Sequence, residues 1–339
     1  MSIPRHAWYP VAASEEVGRS PIARRLVDLP VVLYRSTTGE PVALEDRCAH
    51  RPVRLSDGVL DGDLIRSTYT GFAYDPTGAC VSVPTQEQVP YGAAVRSFPV
   101  RDDGSFVWVW AGEAGLAGLR TPPDTSLLRT DGWTTFGGVL DTAAGIGLLH
   151  DNFCDITHVA QLDRAIAPPA LTAGPPPPLE VEVSETTVRF WRRFDAAPVA
   201  SWNAQVLELP EDAEHEQVEE GEFVGPGYWV DRWTVDVKGH DDRDGQHVFV
   251  FSHALTPISA TRTRHLWRVS RNFASSAAAD GTLKPLFESY YARVGEVLEQ
   301  MQTILDEEGP RPEVAVAADA AVTHVRRIMQ RMVADELGG

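Results

Sequence analysis

Two groups of residues in this chain have the types and spacing to do chemistry. The first is Cys48-Ala49-His50-Arg51, a thiol two places from an imidazole, followed later by Ser67, Thr70, Gly71 and Phe72 in the run RSTYTGF. A thiolate and an imidazole so placed are metal donors, whereas the hydroxyls of Ser67 and Thr70 are poor donors to such a metal. The second is Asp151 to His158, DNFCDITH, with Asp163 beyond it. There His158 can serve as an acid–base group, its ring held by Asp155, with Asp163 and Asn152 beside it. A buried His158–Asp155 bond kept for packing accounts for the same residues. His150, Cys154 and His158 are i, i+4 neighbours on a helix, so an improvised metal seam along one face is a further reading.

The elements that must position these groups are legible in outline. Pro30 to Tyr34 reads as a buried strand, Ser36 to Gly39 as a turn and Pro41 to Glu45 as the return strand leading into Cys48. Ala73 to Asp75 and Cys80 to Pro84 form a second hairpin, and VRSFPV and SFVWVWAG are strand-like runs. Cys80 fits a small buried hydrophobe. From about Gly137 to His158 the pattern reads as helical. The proline-rich stretch 168–178 reads as a surface crossing, and the acidic run Glu211 to Glu222 as a solvated loop. Segments 179–183, 188–193, 228–235, 246–252 and 264–273 read as one antiparallel sheet. Two helices close the chain, the first with Leu283, Phe287, Tyr291, Val294 and Leu298 on one face, the second from about Asp319 with Val322, Val325 and Met329. Trp202, Trp229, Trp233 and Trp267 read as cavity wall or as core.

Taken together, AWY, VVLYR, ALEDRCAHR and the frame ending Gly71-Phe72 resemble the Rieske domain of Rieske-type non-haem iron aromatic-ring-hydroxylating oxygenases and O-demethylases. Asn152, Asp155 and His158, and the segment HALTPISATRTRHLWRVSRNF, resemble that family's second domain. The resemblance implies an α+β fold. Its N-terminal all-β Rieske-like domain spans 1–120, with cluster loops 48–51 and 67–71. Its helix-grip type C-terminal domain spans 121–339, an antiparallel sheet with helices over a substrate cavity. It also implies a homotrimer. A Rieske cluster takes two thiolates and two imidazoles; Cys48 and His50 are kept, while Ser67 and Thr70 stand at the second Cys and second His. For the mononuclear iron, His158 is kept, Asp163 stands at the second His, and Val294 falls at the carboxylate position before Val297-Leu298-Glu299.

The expectation from those losses is a degenerate member with no cofactor, neither iron–sulfur cluster nor mononuclear iron. It would be an enzyme for non-redox chemistry, cyclisation, cycloaddition or isomerisation, on an apolar natural-product intermediate held in the cavity. His158, Asp155, Asp163 and Asn152 would be its catalytic residues. The alternatives are an active Rieske-type monooxygenase or demethylase with an unusual metal site, or a non-catalytic binding or assembly subunit. Thirty basic against 48 acidic residues leave a net charge of -18, which argues against nucleic acid and anionic membranes as partners. No run approaches the roughly 20 apolar residues of a membrane span, and the start shows no secretory pattern, so a cytoplasmic protein is expected. Three cysteines, Cys48, Cys80 and Cys154, make a disulfide framework improbable.

Overall fold

The structure, a computed structural model, describes residues 2–172, 174–240 and 244–338. Its contacts divide the chain into two units, one of residues 3–125 with 256–260, the other of 126–255 and 261–338 with the first residues.

In the first unit β1 (Trp8–Ala13), β2 (Ile22–Leu26), β3 (Leu29–Arg35) and β4 (Pro41–Glu45) are followed by four short strands. These are β5 (Val59–Asp61), β6 (Leu64–Arg66), β7 (Ala73–Tyr74) and β8 (Cys80–Ser82); β9 (Val100–Asp102) and β10 (Phe106–Trp110) end the unit. They form three small sheets, ordered β1-β10-β9, β2-β3-β4 and β5-β6-β7-β8. Both expected hairpins are present. Of the run VRSFPV only Val100 lies in a regular strand, and Ser97 forms an isolated bridge with Leu44. Val32, Tyr34, Leu44, Leu55, Ile65 and Tyr74 share one core with Cys48 and Cys80. Each such apolar side chain contributes about 1.5–3 kcal/mol by leaving water, so the loops at Cys48 and Ser67 are anchored by neighbours, whatever they bind. Gly71 turns the second loop at φ +72, and a Cβ there would meet Pro84 Cγ at 2.7 Å. Conformation and space both require glycine.

The second unit is built on one seven-stranded sheet. Its strands are β11 (Thr134–Thr142), β12 (Glu180–Val183), β13 (Val188–Pro198), β14 (Glu214–Gly225), β15 (Tyr228–Val237), β16 (Gly245–Ser259) and β17 (Arg262–Arg271), in the order β11-β17-β16-β15-β14-β13-β12. The helices are α1 (Ile146–Cys154), α2 (Val159–Leu162), α3 (Ser201–Leu207), α4 (Ala277–Glu308) and α5 (Ala320–Gly338). Phe287, Tyr291, Leu283 and the sheet residues Trp233, Phe249 and Trp267 meet in one core. Arg326 of α5 grips Asp151 of α1 through both oxygens, at 2.9 and 2.6 Å, the bidentate geometry that fixes orientation. No helix among the described residues is long and apolar enough to cross a membrane.

Three expectations are corrected. The stretch from Gly137 is strand up to Thr142, paired residue for residue with β17, and helix begins only at Ile146. The acidic run is not a solvated loop: Glu214 onward is β14, in which His215, Gln217, Glu219, Gly221 and Phe223 point into the interior. Counting charges hid that period of two, because two interior positions are themselves polar and one is a carboxylate. Gly221 belongs to the same device, since a Cβ there would strike the Phe190 ring at 2.1 Å. The helix running to His158 is also not continuous. Asp155 is extended (φ -135, ψ 106) and separates α1 from a short 3-10 turn, so the i, i+4 seam of His150, Cys154 and His158 is broken.

Candidate functional site

At the end of α1 the chain stops being helical because Asp155 folds its carboxylate back on the next turn. Its Oδ1 accepts from the Thr157 amide at 2.9 Å and its Oδ2 from the Thr157 hydroxyl at 2.7 Å. This is a helix-capping arrangement, and it directs both carboxylate oxygens toward Thr157. The expectation that Asp155 holds the His158 ring through its side chain is therefore corrected; its backbone carbonyl does so, 2.7 Å from Nδ1. A carbonyl can only accept, so Nδ1 carries the proton. Burial holds His158 below its ordinary pKa, and in the neutral ring Nε2 must then accept, from the Tyr290 hydroxyl at 3.0 Å. Tyr290 comes from α4, and burial pushes its own pKa up.

His158 and Asn152 line a cavity of about 140 Å³, close to the ~150 Å³ that accepts a benzene ring in an engineered apolar void. Its walls are aromatic, with Phe153, Trp202, Trp233, Phe249, Phe251 and Phe287. Of the four tryptophans read as wall or core, Trp202 and Trp233 line the cavity, Trp233 also belonging to the core, whereas Trp229 and Trp267 are buried outside the lining. Val294 of α4 also faces the cavity, and Glu296 is exposed. Asp163 is not in the lining; it is ion-paired with Arg293.

The sheet supplies polar groups that counting along the sequence did not single out. Glu219 lies in the lining and is paired with Arg192, Nε to Oε2 2.9 Å, both side chains nearly inaccessible. Burial raises its pKa, Arg192 draws it back, and the balance lies at about 8. Asp231, two places along β15 from Trp233, is pushed well up by burial. Its Oδ2 lies 3.0 Å from His253 Nε2, and His253 Nδ1 lies 2.9 Å from His265 Nε2. Burial takes His253 down to about 3. The signal for these residues was strand alternation: Glu219, Asp231 and His253 each fall on the inward phase of their strand.

The other residues singled out from the sequence are placed apart from this cavity. His150 is fully buried and accepts from the Trp229 indole at 2.7 Å; burial lowers its pKa to about 3. Cys154 is a buried thiol pushed well up by burial. In the first unit Cys48 Sγ lies 3.2 Å from both Thr70 Oγ1 and Tyr74 Oη. Burial alone would raise this thiol, yet the hydrogen bonds from Thr70 and Tyr74 outweigh it and hold the pKa below its ordinary value. Ser67 is buried and its Oγ accepts from the Thr70 amide at 3.3 Å, while His50 stacks on Phe72 with ring centres 4.9 Å apart. The four frame positions thus offer one thiol, one imidazole and two hydroxyls, short of the donors a Rieske cluster uses. At the second site His158 has both ring nitrogens engaged and Asp163 faces Arg293, so a facial triad is not assembled. No group of three or more His, Cys, Asp or Glu able to hold a metal occurs among the described residues.

Residues 142–335 match the family described as Vanillate O-demethylase oxygenase C-terminal domain, and residues 7–99 match the Rieske [2Fe-2S] domain. A putative toluene-4-sulfonate monooxygenase system iron-sulfur subunit of Comamonas testosteroni is 28% identical, over 99% of this chain and 98% of its own. Dicamba monooxygenase bound to 3,6 dichlorosalicylic acid has the same fold, with a TM-score of 0.88, 26% identity and 99% of both chains covered. The same enzyme with non-heme iron and dicamba gives a TM-score of 0.81 at 25% identity, over 98% of both chains.

These likenesses overturn two expectations. A cofactor-free chain carrying out cyclisation, cycloaddition or isomerisation on a natural product has no support among relatives that are an iron-sulfur subunit of a monooxygenase system and an iron-holding monooxygenase. The match to the iron–sulfur domain likewise overturns the expectation of no cofactor. That expectation rested on four donor positions, whereas the likeness runs through nearly the whole chain. The donor sets of this chain nevertheless do not fit the two groups as its relatives' names imply them.

Proposed function

Since this chain belongs to the family of Rieske-type aromatic oxygenase and O-demethylase subunits, we propose that it is an oxygenase-component subunit whose C-terminal cavity takes one small aromatic compound. The observation that carries the reading is the cavity itself, with about 140 Å³ lined by eight Phe, Trp and Tyr side chains. A ring seated there is held by shape and by edge and face contacts, each worth about 0.5–1.5 kcal/mol beyond area burial, and its arrival expels water. His158 and Tyr290 provide one polar wall whose proton positions are set. His158 presents a neutral ring, fixed from below by the Asp155 carbonyl. Asn152 is a second polar contact on that wall. Asp163 acts as a positioning residue, tying the turn after α2 to α4 through Arg293. The family also suggests a homotrimer in the cytoplasm, and light scattering on the purified chain reads the assembly.

A second reading, a subunit that binds the aromatic compound or supports assembly without turning it over, is favoured by the short donor sets at Cys48, His50, Ser67 and Thr70 and around His158. One experiment separates the two. Iron and acid-labile sulfide are measured on the purified chain, followed by turnover of small aromatic ethers and acids with a reductant and oxygen. Stoichiometric iron with oxygen-dependent product supports the oxygenase. Saturable binding without oxygen uptake supports the binding subunit, and no saturable binding of any small aromatic compound would sink both.

A further inference from the structure

Two histidine pairs of the second unit are spaced almost alike and bonded differently. The rings of His253 and His265 lie 5.1 Å apart, centre to centre, and that pair is closed: His253 Nδ1 meets His265 Nε2 at 2.9 Å, and Asp231 takes the other nitrogen of His253. The rings of His215 and His240 lie 5.6 Å apart, outside the lining of the aromatic cavity. Here the pair is open. His215 is only 4% exposed, and its Nε2 has no hydrogen-bond partner among the described residues. We propose that His215 and His240 form a two-imidazole site for a divalent transition-metal ion of the zinc, nickel and copper class, independently of what the cavity binds.

The spacing suits an ion. A metal about 2.0–2.1 Å from an imidazole nitrogen lies about 3.2 Å from the ring centre, so two rings on one tetrahedral ion have centres about 5.2 Å apart. A small side-chain rotation closes the remaining difference. The two rings are tilted by 54°, so neither is spent on stacking against the other. Burial holds His215 below its ordinary pKa, which keeps the ring neutral, the form a metal takes. A buried nitrogen without a partner is costly, and ligation removes that cost. Asp236 is close enough for its charge to act on His215 and favours a cation there. The backbone explains the meeting. His215 stands near the start of β14 in its inward phase, and its neighbour Glu216 lies opposite Asp236 of β15. His240 follows just past the end of β15 at Val237, half-buried in the turn before β16, which gives the ion its way in. An ion held by both rings ties that turn to the first residues of β14. His247 of β16 is the next imidazole, but its ring packs edge-on against Phe273 at 5.2 Å. Two nitrogens therefore come from protein and the other positions go to water. Such a set suits ions that take imidazole and not magnesium or calcium, which take oxygen.

The test is zinc binding to the full chain, first stripped of metal with a chelator and then titrated against a chromogenic competitor, with magnesium as the control. His240→Ala is the first variant, because His240 is half-buried in a turn and its loss leaves the core intact. His215→Gln, checked for folding by circular dichroism, is the second. The unsubstituted chain is expected to take up one equivalent of zinc that either variant loses or binds at least about tenfold more weakly. Nitrogen NMR is expected to show the His215 Nε2 resonance moving on addition of zinc and staying in place with magnesium. Zinc stoichiometry and affinity unchanged in His240→Ala overturn the inference, whatever His215→Gln does. An unmoved His215 Nε2 at saturating zinc overturns it as well, since the metal then sits on other residues.

Discussion

The loops around Cys48 and the cavity around His158 lost the same kind of residue, yet they are built differently. In the loops, Ser67 and Thr70 stand where donors are expected, and the gap is closed locally. Thr70 and Tyr74 hydrogen-bond the surviving thiol, Ser67 is buried, and the turn at Gly71 is maintained by backbone bonds from the Ser67 amide to the Phe72 carbonyl and from the Gly71 amide to the Ser67 carbonyl. Those backbone bonds are indifferent to the side chains they carry, so the frame outlives its donors. In the cavity the surviving polar groups are held through long-range partners on other elements: His158 by α4, Glu219 by β13, Asp231 by β16. Such groups cannot be exchanged singly, because each leaves a buried partner behind. A site made of local turns drifts one residue at a time, while one made of cross-sheet pairs resists drift.

The strongest challenge to that contrast is to refill the loops. Ser67→Cys with Thr70→His is expected to raise iron and sulfide per chain severalfold over the unsubstituted protein after reconstitution, since two thiolates and two imidazoles complete the donor set. Equal loading in both proteins, with folding intact, would show that these are not the donor positions. In the cavity the matching substitution is costly. Glu219→Leu strands Arg192, which is 2% exposed and cannot shed its proton, and is expected to cost about 3–5 kcal/mol in denaturant unfolding. Arg192→Met should cost clearly less, because burial already favours the protonated, neutral form of Glu219 below about pH 8. Equal costs would mean that the pair is not electrostatically asymmetric.

The sequence made the scaffold legible and the polar floor of the cavity illegible, for one physical reason. Hairpins at 30–45 and 73–82, the terminal helices and five of the seven sheet strands announce themselves because apolar residues mark their inner faces. In β14 the inward positions include His215, Gln217 and Glu219, so hydropathy sees only a polar run, and the alternation reappears only once Arg192 is known to lie opposite. His158 and Asn152 were legible as a motif. Their partners were not: the cap that turns Asp155 away from the ring, and Tyr290, 132 residues distant, have no local signature. Cys48 and Ser67 were legible as positions in a frame, but the hydrogen bonds that lower the Cys48 pKa come from Thr70 and from Tyr74 on the next hairpin.

A smaller effect comes from pH. Glu219 has its folded pKa raised from 4.5 to about 8, so the folded chain keeps a proton that the unfolded chain has released. That contribution to stability is whole below 4.5 and is lost as pH rises through 8. His253, lowered from 6.5 to about 3, acts in the opposite sense, adding stability as pH rises toward 6.5. Above 6.5 the offset ends. Unfolding free energy should therefore fall between pH 6.5 and 8, and Glu219→Gln should flatten the slope by at most about 1.4 kcal/mol per pH unit. Asp231, raised in the same direction, retains part of the slope in the variant. No change of slope in Glu219→Gln would mean that Glu219 titrates alike in both states.

The smallest change tests whether the cavity's cross-element pairing extends to its polar wall. Tyr290→Phe removes one hydroxyl and keeps the ring, leaving His158 Nε2 without its donor at 3.0 Å. The expected loss of stability is about 1 kcal/mol, the usual net worth of one such bond. A purely structural bond would move stability alone. If Tyr290 also fixes which nitrogen of His158 carries the proton, the variant lets the ring exchange tautomers, and the His158 ring nitrogens, read by nitrogen NMR, shift from a single protonated Nδ1 toward a mixture. An unaltered tautomer would assign that choice to the Asp155 carbonyl alone, and the wall would then be set locally, as the loops around Cys48 are.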